Sequence, residues 1–148
     1  MKTVIVDIDG TISKVGDRIK FLQQSPKDWD SFYNACFDDE PIQEVLDLVT
    51  QLDAYYVIVF CTGRRESTRQ VTVDWINKYC NLWFKNSFYL LMRKDVDFRH
   101  DTIVKPELLE KDGIKLEDIA FVLEDRNSMV VKWREMGLIC LQVAEGDF

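Results

Sequence analysis

The sequence lacks most of the features that mark metal-scaffolded, secreted or membrane-spanning proteins. It has one histidine and four cysteines, and no two cysteines have C-x-x-C spacing, so we expect neither a zinc site nor a disulfide framework. No apolar run is long enough to cross a bilayer, and the residues before Asp7 are too few for a signal peptide. These absences predict a reduced protein of the cytoplasm without membrane association.

Positive charge is also scarce. The chain has 19 lysines and arginines against 26 aspartates and glutamates, whereas binding along nucleic acid rewards clustered lysine and arginine. A small or terminal phosphate, met by a few local cations, is still compatible with this balance. A length of 148 residues with 47% hydrophobic residues predicts one globular domain.

Apolar segments with strand and helix periodicity alternate along the chain. Strands are predicted over residues 3–6, 55–61, 88–92, 119–123 and 138–143. Helix starts are predicted at Ser25-Pro26 and at Asp39-Glu40-Pro41. Further helices are predicted over residues 66–79 and 127–136, with one between that begins at either Asp101 or Lys105 and closes near Gly113.

Strands that alternate with helices form a parallel sheet with right-handed crossovers. We therefore predict an α/β fold of three layers, Rossmann-like, with about five parallel strands and helices on both faces. Residues 1–148 are interpreted as a single domain that carries a small cap insert over about residues 12–40. The aromatic residues between Trp29 and Phe37 are expected to pack inside that cap.

Two carboxylates stand directly after the first predicted strand, in Asp7-Ile8-Asp9-Gly10-Thr11. Because side chains alternate along a strand, Asp7 and Asp9 leave on the same side and repel each other unless a cation compensates. The pair therefore predicts a hard-metal site, for which Mg²⁺ is the expected ion. Gly10 allows the backbone to turn sharply beneath that site.

Further polar clusters follow other predicted strands. The carboxyl ends of parallel strands share one edge of a sheet, and ligands bind outside that edge. We therefore expect the two aspartates to lie near three other segments, which are Thr62-Gly63-Arg64, the charged loop of residues 93–105, and Glu124-Asp125-Arg126.

This set of groups is suited to phosphoryl transfer. A carboxylate beside a hard cation can attack phosphorus and form an aspartyl-phosphate, which water later hydrolyses. We assign Asp7 as that nucleophile, and Asp9 as the group that protonates the leaving oxygen and later takes a proton from water. Thr62 would hydrogen-bond a phosphate oxygen, and Lys105 would add a positive charge. The expected metal ligands are Asp7, Asp9, Glu124 and Asp125.

The ordered motifs resemble those of the haloacid dehalogenase-like superfamily, whose members are mostly Mg²⁺-dependent phosphatases. They are Asp7-Ile8-Asp9-Gly10-Thr11, Cys61-Thr62-Gly63-Arg64, Lys105 and Glu124-Asp125. Within that superfamily the chain is similar to the 3′-phosphatase domain of phage polynucleotide kinase, through Arg18, the run from Asp97 to Lys105, and the ending from Gln142 to Phe148.

That resemblance implies further site residues. Arg18 and Arg64 would contact the phosphate or the leaving group, and Asp101 would orient Lys105. Gly63, Asp101 and Arg126 are assigned to the same substrate-binding group. The implied partner is a phosphorylated nucleotide or the terminal 3′-phosphate of DNA or RNA.

Two departures from the pattern bear on function. There is no G-x-x-x-x-G-K-[ST] loop, so 5′-phosphorylation is not expected. Glu124 is one methylene longer than the aspartate that relatives often carry, so its metal contact would run through water. Two alternatives to a 3′-phosphatase are a 5′-nucleotidase or small-metabolite phosphatase of the same superfamily, and a phosphate-binding module without activity.

Overall fold

The computed structural model describes residues 1–82 and 88–148. Its centre is a five-stranded, fully parallel sheet with strand order β3-β2-β1-β4-β5. The strands are β1 (Thr3–Val6), β2 (Val57–Arg65), β3 (Tyr89–Arg93), β4 (Ile119–Arg126) and β5 (Cys140–Gly146). The α-helices are α1 (Trp29–Asn34), α2 (Gln43–Leu52), α3 (Arg69–Tyr79), α4 (Asp101–Lys111) and α5 (Asn127–Glu135). The predicted α/β architecture with a parallel sheet is confirmed.

Helices cover both faces of the sheet. Alternate residues of β1 explain this, because Val4 and Val6 join a core with α2 and α3, whereas Ile5 joins a second core with α4 and α5. Both cores are built from fully buried side chains, including Phe60 on one face and Trp133 on the other. The central strand is therefore buried on both sides, as its unbroken apolar sequence predicts.

Two predicted helix starts differ from the structure. The helix expected to begin at Ser25-Pro26 begins at Trp29, where the Asp28 carboxylate accepts a hydrogen bond from the backbone N–H of Ser31 at 3.0 Å. Asp28 satisfies an amide of the first helical turn, which is why the cap lies there. The second helix begins at Gln43 rather than at Pro41, which pairs instead with Ser13 in an isolated antiparallel bridge.

The other helix boundaries follow the sequence closely. Of the two starts considered for α4, the structure has the earlier one, at Asp101, with the His100 side chain accepting from the backbone N–H of Thr102. Pro106 lies inside this helix without ending it. Gly113 follows the end of the helix with a φ of +75°. This left-handed conformation favours glycine, which is why glycine is common just after helix ends.

Strands β2 and β4 continue further than predicted. Each was expected to stop before its polar cluster, but β2 includes Thr62-Gly63-Arg64 and β4 includes Glu124-Asp125-Arg126. The pairing register of both strands shifts within these clusters. Such irregularities bend a strand and re-aim its side chains, so the polar residues remain at the sheet edge although they belong to strands.

A compact segment, which we call the insert (residues 16–38), separates β1 from α2. It contains α1 between two short 3-10 helices, Gly16–Leu22 and Ala35–Asp38, and it has its own small apolar cluster. A backbone hydrogen bond joins the residues that flank the insert, from the N–H of Lys14 to the carbonyl of Glu40 at 2.8 Å. Among the described residues, no helix has the length and apolarity of a membrane span.

Candidate active site

A small cleft opens at the carboxyl ends of β1, β2 and β4, with a volume of about 30 Å³. Its polar wall comes from these strand ends and from α4, and its apolar wall comes from aromatic residues of the insert. The predicted site residues that line it are Asp7, Asp9, Thr62, Gly63, Asp101, Lys105, Glu124, Asp125 and Arg126. The insert contributes Trp29, Phe32 and Tyr33.

Asp7 lies at the centre of the cleft and is almost fully buried. One of its carboxylate oxygens, Oδ1, accepts a hydrogen bond from Lys105 Nζ at 2.7 Å, and the other, Oδ2, accepts one from Thr11 Oγ1 at 2.9 Å. Burial raises the pKa of the Asp7 carboxyl well above its usual value, helped by the charge of Glu124 and opposed by Lys105.

Three carboxylates form an acidic cluster around this position. Asp7, Glu124 and Asp125 each offer an oxygen within 4.8 Å of the others, a spacing that suits a hard cation. Burial, followed by the charge of Glu124, raises the pKa of Asp125 to about 6. Burial and the neighbouring carboxylates thus disfavour the ionised forms of Asp7 and Asp125, and a divalent cation bound here would favour them, so the residues fit such an ion.

Glu124 lies at the predicted edge of the sheet, but its hydrogen bonds were not predicted from the sequence. Its Oε2 accepts a hydrogen bond from Lys105 Nζ at 2.9 Å, and its Oε1 accepts from the backbone N–H groups of Asp125 and Arg126. Lys105 is thus held between Glu124 and Asp7. Although burial lowers the pKa of Lys105, these two carboxylates outweigh it and raise that pKa well above its usual value.

Asp9 is not part of the acidic cluster that is found among the described residues. Its Oδ1 accepts hydrogen bonds from Arg18 Nη2 and Arg64 Nη2, each at 2.7 Å. Burial disfavours the charged form, but the guanidinium groups of Arg64 and Arg18 outweigh it and lower the pKa of the Asp9 carboxyl. The two predicted phosphate-binding arginines therefore contact the predicted proton donor in this state.

Asp39 is a site-supporting residue that sequence reasoning missed, because it was interpreted as part of a helix start. It is buried, and it accepts hydrogen bonds from Arg18 Nε at 2.7 Å, from Arg64 Nη2 at 3.2 Å and from Ser13 Oγ at 2.6 Å. Arg18 belongs to the insert and Arg64 to β2, so Asp39 ties the insert to the sheet beneath Asp9.

Asp101 does not have the partner predicted for it. Its Oδ2 accepts from Arg126 at 2.9 Å and its Oδ1 pairs with Arg93, whereas Lys105, one turn later on α4, donates to Asp7 and Glu124. The expected orienting hydrogen bond between Asp101 and Lys105 is therefore replaced by an electrostatic influence through space. Arg93, which was not assigned to the site, thus fixes Asp101 together with Arg126.

Gly63 has a steric reason to be glycine. A Cβ atom at this position would lie 2.6 Å from Asp101 Oδ1, which is closer than the Cβ atoms of real side chains approach other atoms. The backbone of β2 can thus approach α4, and the carbonyl of Gly63 accepts a hydrogen bond from Arg93 Nε at 2.9 Å. The neighbouring Thr62 is buried at the cleft, where its hydroxyl oxygen accepts from the backbone N–H of Arg64 at 3.1 Å.

The parallel sheet, the Asp7-x-Asp9 strand end, and the lysine held between acidic residues together define a phosphatase of the haloacid dehalogenase-like class. Comparison with solved structures agrees at the level of the fold. A haloacid dehalogenase-like hydrolase from Streptococcus pneumoniae superposes over 96% of this chain and 84% of its own with a TM-score of 0.62, at 14% identity.

Comparison with protein families is more specific. The family model "Polynucleotide kinase PNKP phosphatase domain" matches residues 1–148, so the chain belongs to this family of phosphatases. The predicted resemblance to the 3′-phosphatase domain of polynucleotide kinase is confirmed at the level of the family.

Relatives with longer chains share this domain. A protein of Autographa californica nuclear polyhedrosis virus, named as a bifunctional polynucleotide kinase/RNA ligase, is 27% identical over 137 residues, which cover 91% of this chain and 18% of the relative. A chain from the structure of a Pnkp1/Rnl/Hen1 RNA repair complex matches with a TM-score of 0.80 and 29% identity, over 100% of this chain and 44% of that one. The chain thus spans less than half the length of these relatives.

Proposed function

We propose that this chain is a Mg²⁺-dependent phosphomonoesterase that removes 3′-phosphates from nucleotides or nucleic acid ends through an aspartyl-phosphate on Asp7. The observation that carries the proposal is the buried Asp7 carboxylate, held by Lys105 at 2.7 Å and clustered with Glu124 and Asp125. A buried carboxylate with a fixed cation and further acids beside it is arranged for nucleophilic attack beside a metal ion.

The first chemical step would use groups of this cleft. Asp7 attacks phosphorus as the bond to the leaving oxygen breaks, so the phosphoryl group becomes attached to the carboxylate. Lys105 orients Asp7 and favours its ionised form, and Thr62 at the cleft wall is placed to bind a phosphoryl oxygen. Mg²⁺ bound by the acidic cluster would neutralise charge between the nucleophile and the phosphoryl oxygens.

Proton transfer is assigned to Asp9, which shares the cleft with Asp7. In the free protein Arg64 and Arg18 hold its carboxyl ionised and lower its pKa, so it is a weak base until these cations are drawn away. A phosphate dianion in the cleft competes for the two guanidinium groups and adds negative charge beside Asp9. Both effects raise the pKa of Asp9 and prepare it to protonate the leaving oxygen.

Membership of the polynucleotide kinase phosphatase family supports a 3′-phosphorylated substrate, as does the RNA repair complex among the relatives. A 5′-nucleotidase of the same superfamily is the alternative that substrate preference would reveal. A binding module without activity is disfavoured by the cleft itself, because a simple phosphate binder does not need a nucleophile and a second buried carboxylate.

The test is phosphate release from thymidine 3′-monophosphate, thymidine 5′-monophosphate and an aryl phosphate, with and without Mg²⁺. We expect Mg²⁺-dependent release with preference for the 3′-ester, and a loss of at least ~10³-fold in kcat for Asp7→Asn, because removing a nucleophile removes the covalent route. Asp38→Asn, an exposed acid of the insert, is the matched control and should keep full activity.

Three results would count against the proposal. Full turnover by Asp7→Asn would remove the nucleophile assignment. Equal rates with the two thymidine monophosphates would remove the 3′ preference while leaving a general phosphatase. Phosphate affinity without turnover under any divalent metal would favour the binding module.

A further inference from the structure

A second cavity adjoins the active-site cleft and has no role in the chemistry described above. It has a volume of about 270 Å³ and shares Trp29, Tyr33, Asp101 and Arg126 with the cleft, so the two lie side by side. We call it the aromatic cavity. Its remaining lining consists of Arg65, Arg93, Asp97, Phe98, Arg99 and His100. A group attached to a phosphate in the cleft would therefore lie beside it.

Three aromatic rings with different exposures face this cavity. Trp29 and Tyr33 of the insert are stacked on each other, with ring centroids 5.8 Å apart and planes 24° apart. Phe98, on the loop before α4, is 76% exposed, which is unusual for a large apolar side chain. Exposed aromatic faces that line a polar cavity are the surfaces on which unpaired nucleobases stack.

The charge of the cavity suits a polyanion, although the whole chain is acidic. Its lining contains four arginines and two aspartates. Both aspartates are already paired, Asp97 with Arg99 and Asp101 with Arg93 and Arg126. Arginines thus outnumber acids in the lining itself, and the other acids that pair with them, Asp30 with Arg65 and Glu107 with Arg99, lie outside the cavity.

Arg65 is the cation best placed to change partners. Its guanidinium carbon lies 5.5 Å from the Tyr33 ring centroid and 5.6 Å from that of Phe98, so it sits between the two rings. Its ion-pair partner, Asp30, has a side chain that is 76% exposed, whereas the Arg65 side chain is only 16% exposed. A phosphodiester that enters the cavity would compete with Asp30 for this guanidinium group.

We propose that the aromatic cavity binds the terminal nucleoside of an unpaired nucleic acid 3′ end, with its base on Phe98 and the preceding phosphodiester on Arg65. The proposal rests on the proposed function, because the 3′-phosphate of the same nucleoside would occupy the cleft. It deepens that function by making a 3′-phosphorylated oligonucleotide, rather than a mononucleotide, the preferred substrate.

Binding tests the proposal without depending on turnover. The probe is a 5′-fluorescein trithymidylate with a 3′-phosphate, titrated into the Asp7→Asn protein and followed by fluorescence anisotropy. Adding Phe98→Ala should weaken binding ~10-fold, because stacking of one base on an aromatic ring is of that order. Val96→Ala, on the same loop and 79% exposed, is the matched control and should leave the affinity unchanged.

The electrostatic part has its own measurement. Arg65→Ala should lower the slope of log Kd against log salt concentration for trithymidylate 3′-phosphate by ~0.7, as expected for the loss of one phosphate contact on a single strand. It should also abolish the tighter binding of thymidine 3′,5′-bisphosphate over thymidine 3′-monophosphate. Lys94→Ala, an exposed cation outside the cavity lining, is the control.

The outcomes separate this proposal from the proposed function. Unchanged trithymidylate affinity in the Phe98→Ala background overturns the cavity assignment, whatever the enzyme hydrolyses. Phe98-dependent binding without phosphate release under any divalent metal supports the cavity and overturns the phosphatase proposal. If both are right, Phe98→Ala in the otherwise unaltered chain lowers kcat/KM ~10-fold for the oligonucleotide, whereas Val96→Ala leaves it unchanged.

Discussion

At the scale of single residues, the charges of this active site are organised by an aspartate that does not line the cleft. Asp39 holds Arg18 and Arg64, and these arginines hold Asp9. All of these contacts are buried or nearly so, where a charge without a partner is costly. The orientation of the proposed acid-base group thus depends on a carboxylate that joins the insert to the sheet.

We predict that Asp39→Ala lowers the free energy of unfolding by about 3 kcal/mol, because it leaves two buried arginines with one carboxylate. Urea denaturation followed by circular dichroism measures the effect. Asp38→Ala removes the same group from the adjacent exposed position and should change stability by less than about 0.5 kcal/mol. Similar losses in both variants would mean that the buried pairs add nothing.

At the scale of elements, α2 presents a buried face to the sheet. Leu46 and Val49 are almost completely buried in the core that also contains Val6 and Ile8 at the end of β1. The helix supports the strand end from which Asp7 and Asp9 project. Its packing therefore bears on the site although no residue of the helix lines the cleft.

We predict that Leu46→Ala costs about 3 kcal/mol of unfolding free energy, since it leaves a cavity in a closed part of the core. Leu48→Ala makes the same chemical change two positions later, where the side chain is 44% exposed, and should cost less than about 1 kcal/mol. Thermal or urea unfolding of both variants measures the two losses of unfolding free energy. Equal costs would contradict the assignment of the buried face.

At the scale of the whole molecule, the acidic cluster couples stability to pH and to divalent cations. The pKa of Asp125 is about 6 in the folded protein, whereas the unfolded chain releases this proton near the ordinary aspartate pKa of 3.8. Between these values the folded state binds more protons, so the free energy of unfolding falls as pH rises. A cation bound to the ionised cluster reverses this loss.

We predict that, without metal, stability falls by up to about 3 kcal/mol, the value of a two-unit pKa difference, as the pH rises from about 3.8 to about 6. Asp125→Asn should flatten this part of the profile, because its amide does not titrate. Mg²⁺ at pH 7.5 should raise the Tm of the unaltered chain and have a smaller effect on Asp125→Asn. A Tm that is indifferent to Mg²⁺ would argue against a metal site in the cluster.

The class of fold and the position of the site follow from local patterns in the sequence. Buried strands reveal themselves through continuous β-branched runs, and the rule that parallel strands share their carboxyl edge then brings Asp7, Thr62, Lys105 and Asp125 together. These patterns depend on residues near one another in the chain, which is why they can be identified without a structure.

Pairing among the charged residues was decided only by tertiary structure. From the sequence, Asp39 was interpreted as part of a helix start and Arg93 as part of a charged loop. In the structure Asp39 binds the two arginines that contact Asp9, and Arg93 binds Asp101. The aromatic cavity likewise forms from the insert, the end of β2 and the loop before α4. Which charges meet depends on the bends at the ends of β2 and β4 and on the packing of the insert, and these arise from long-range contacts that no local sequence pattern encodes.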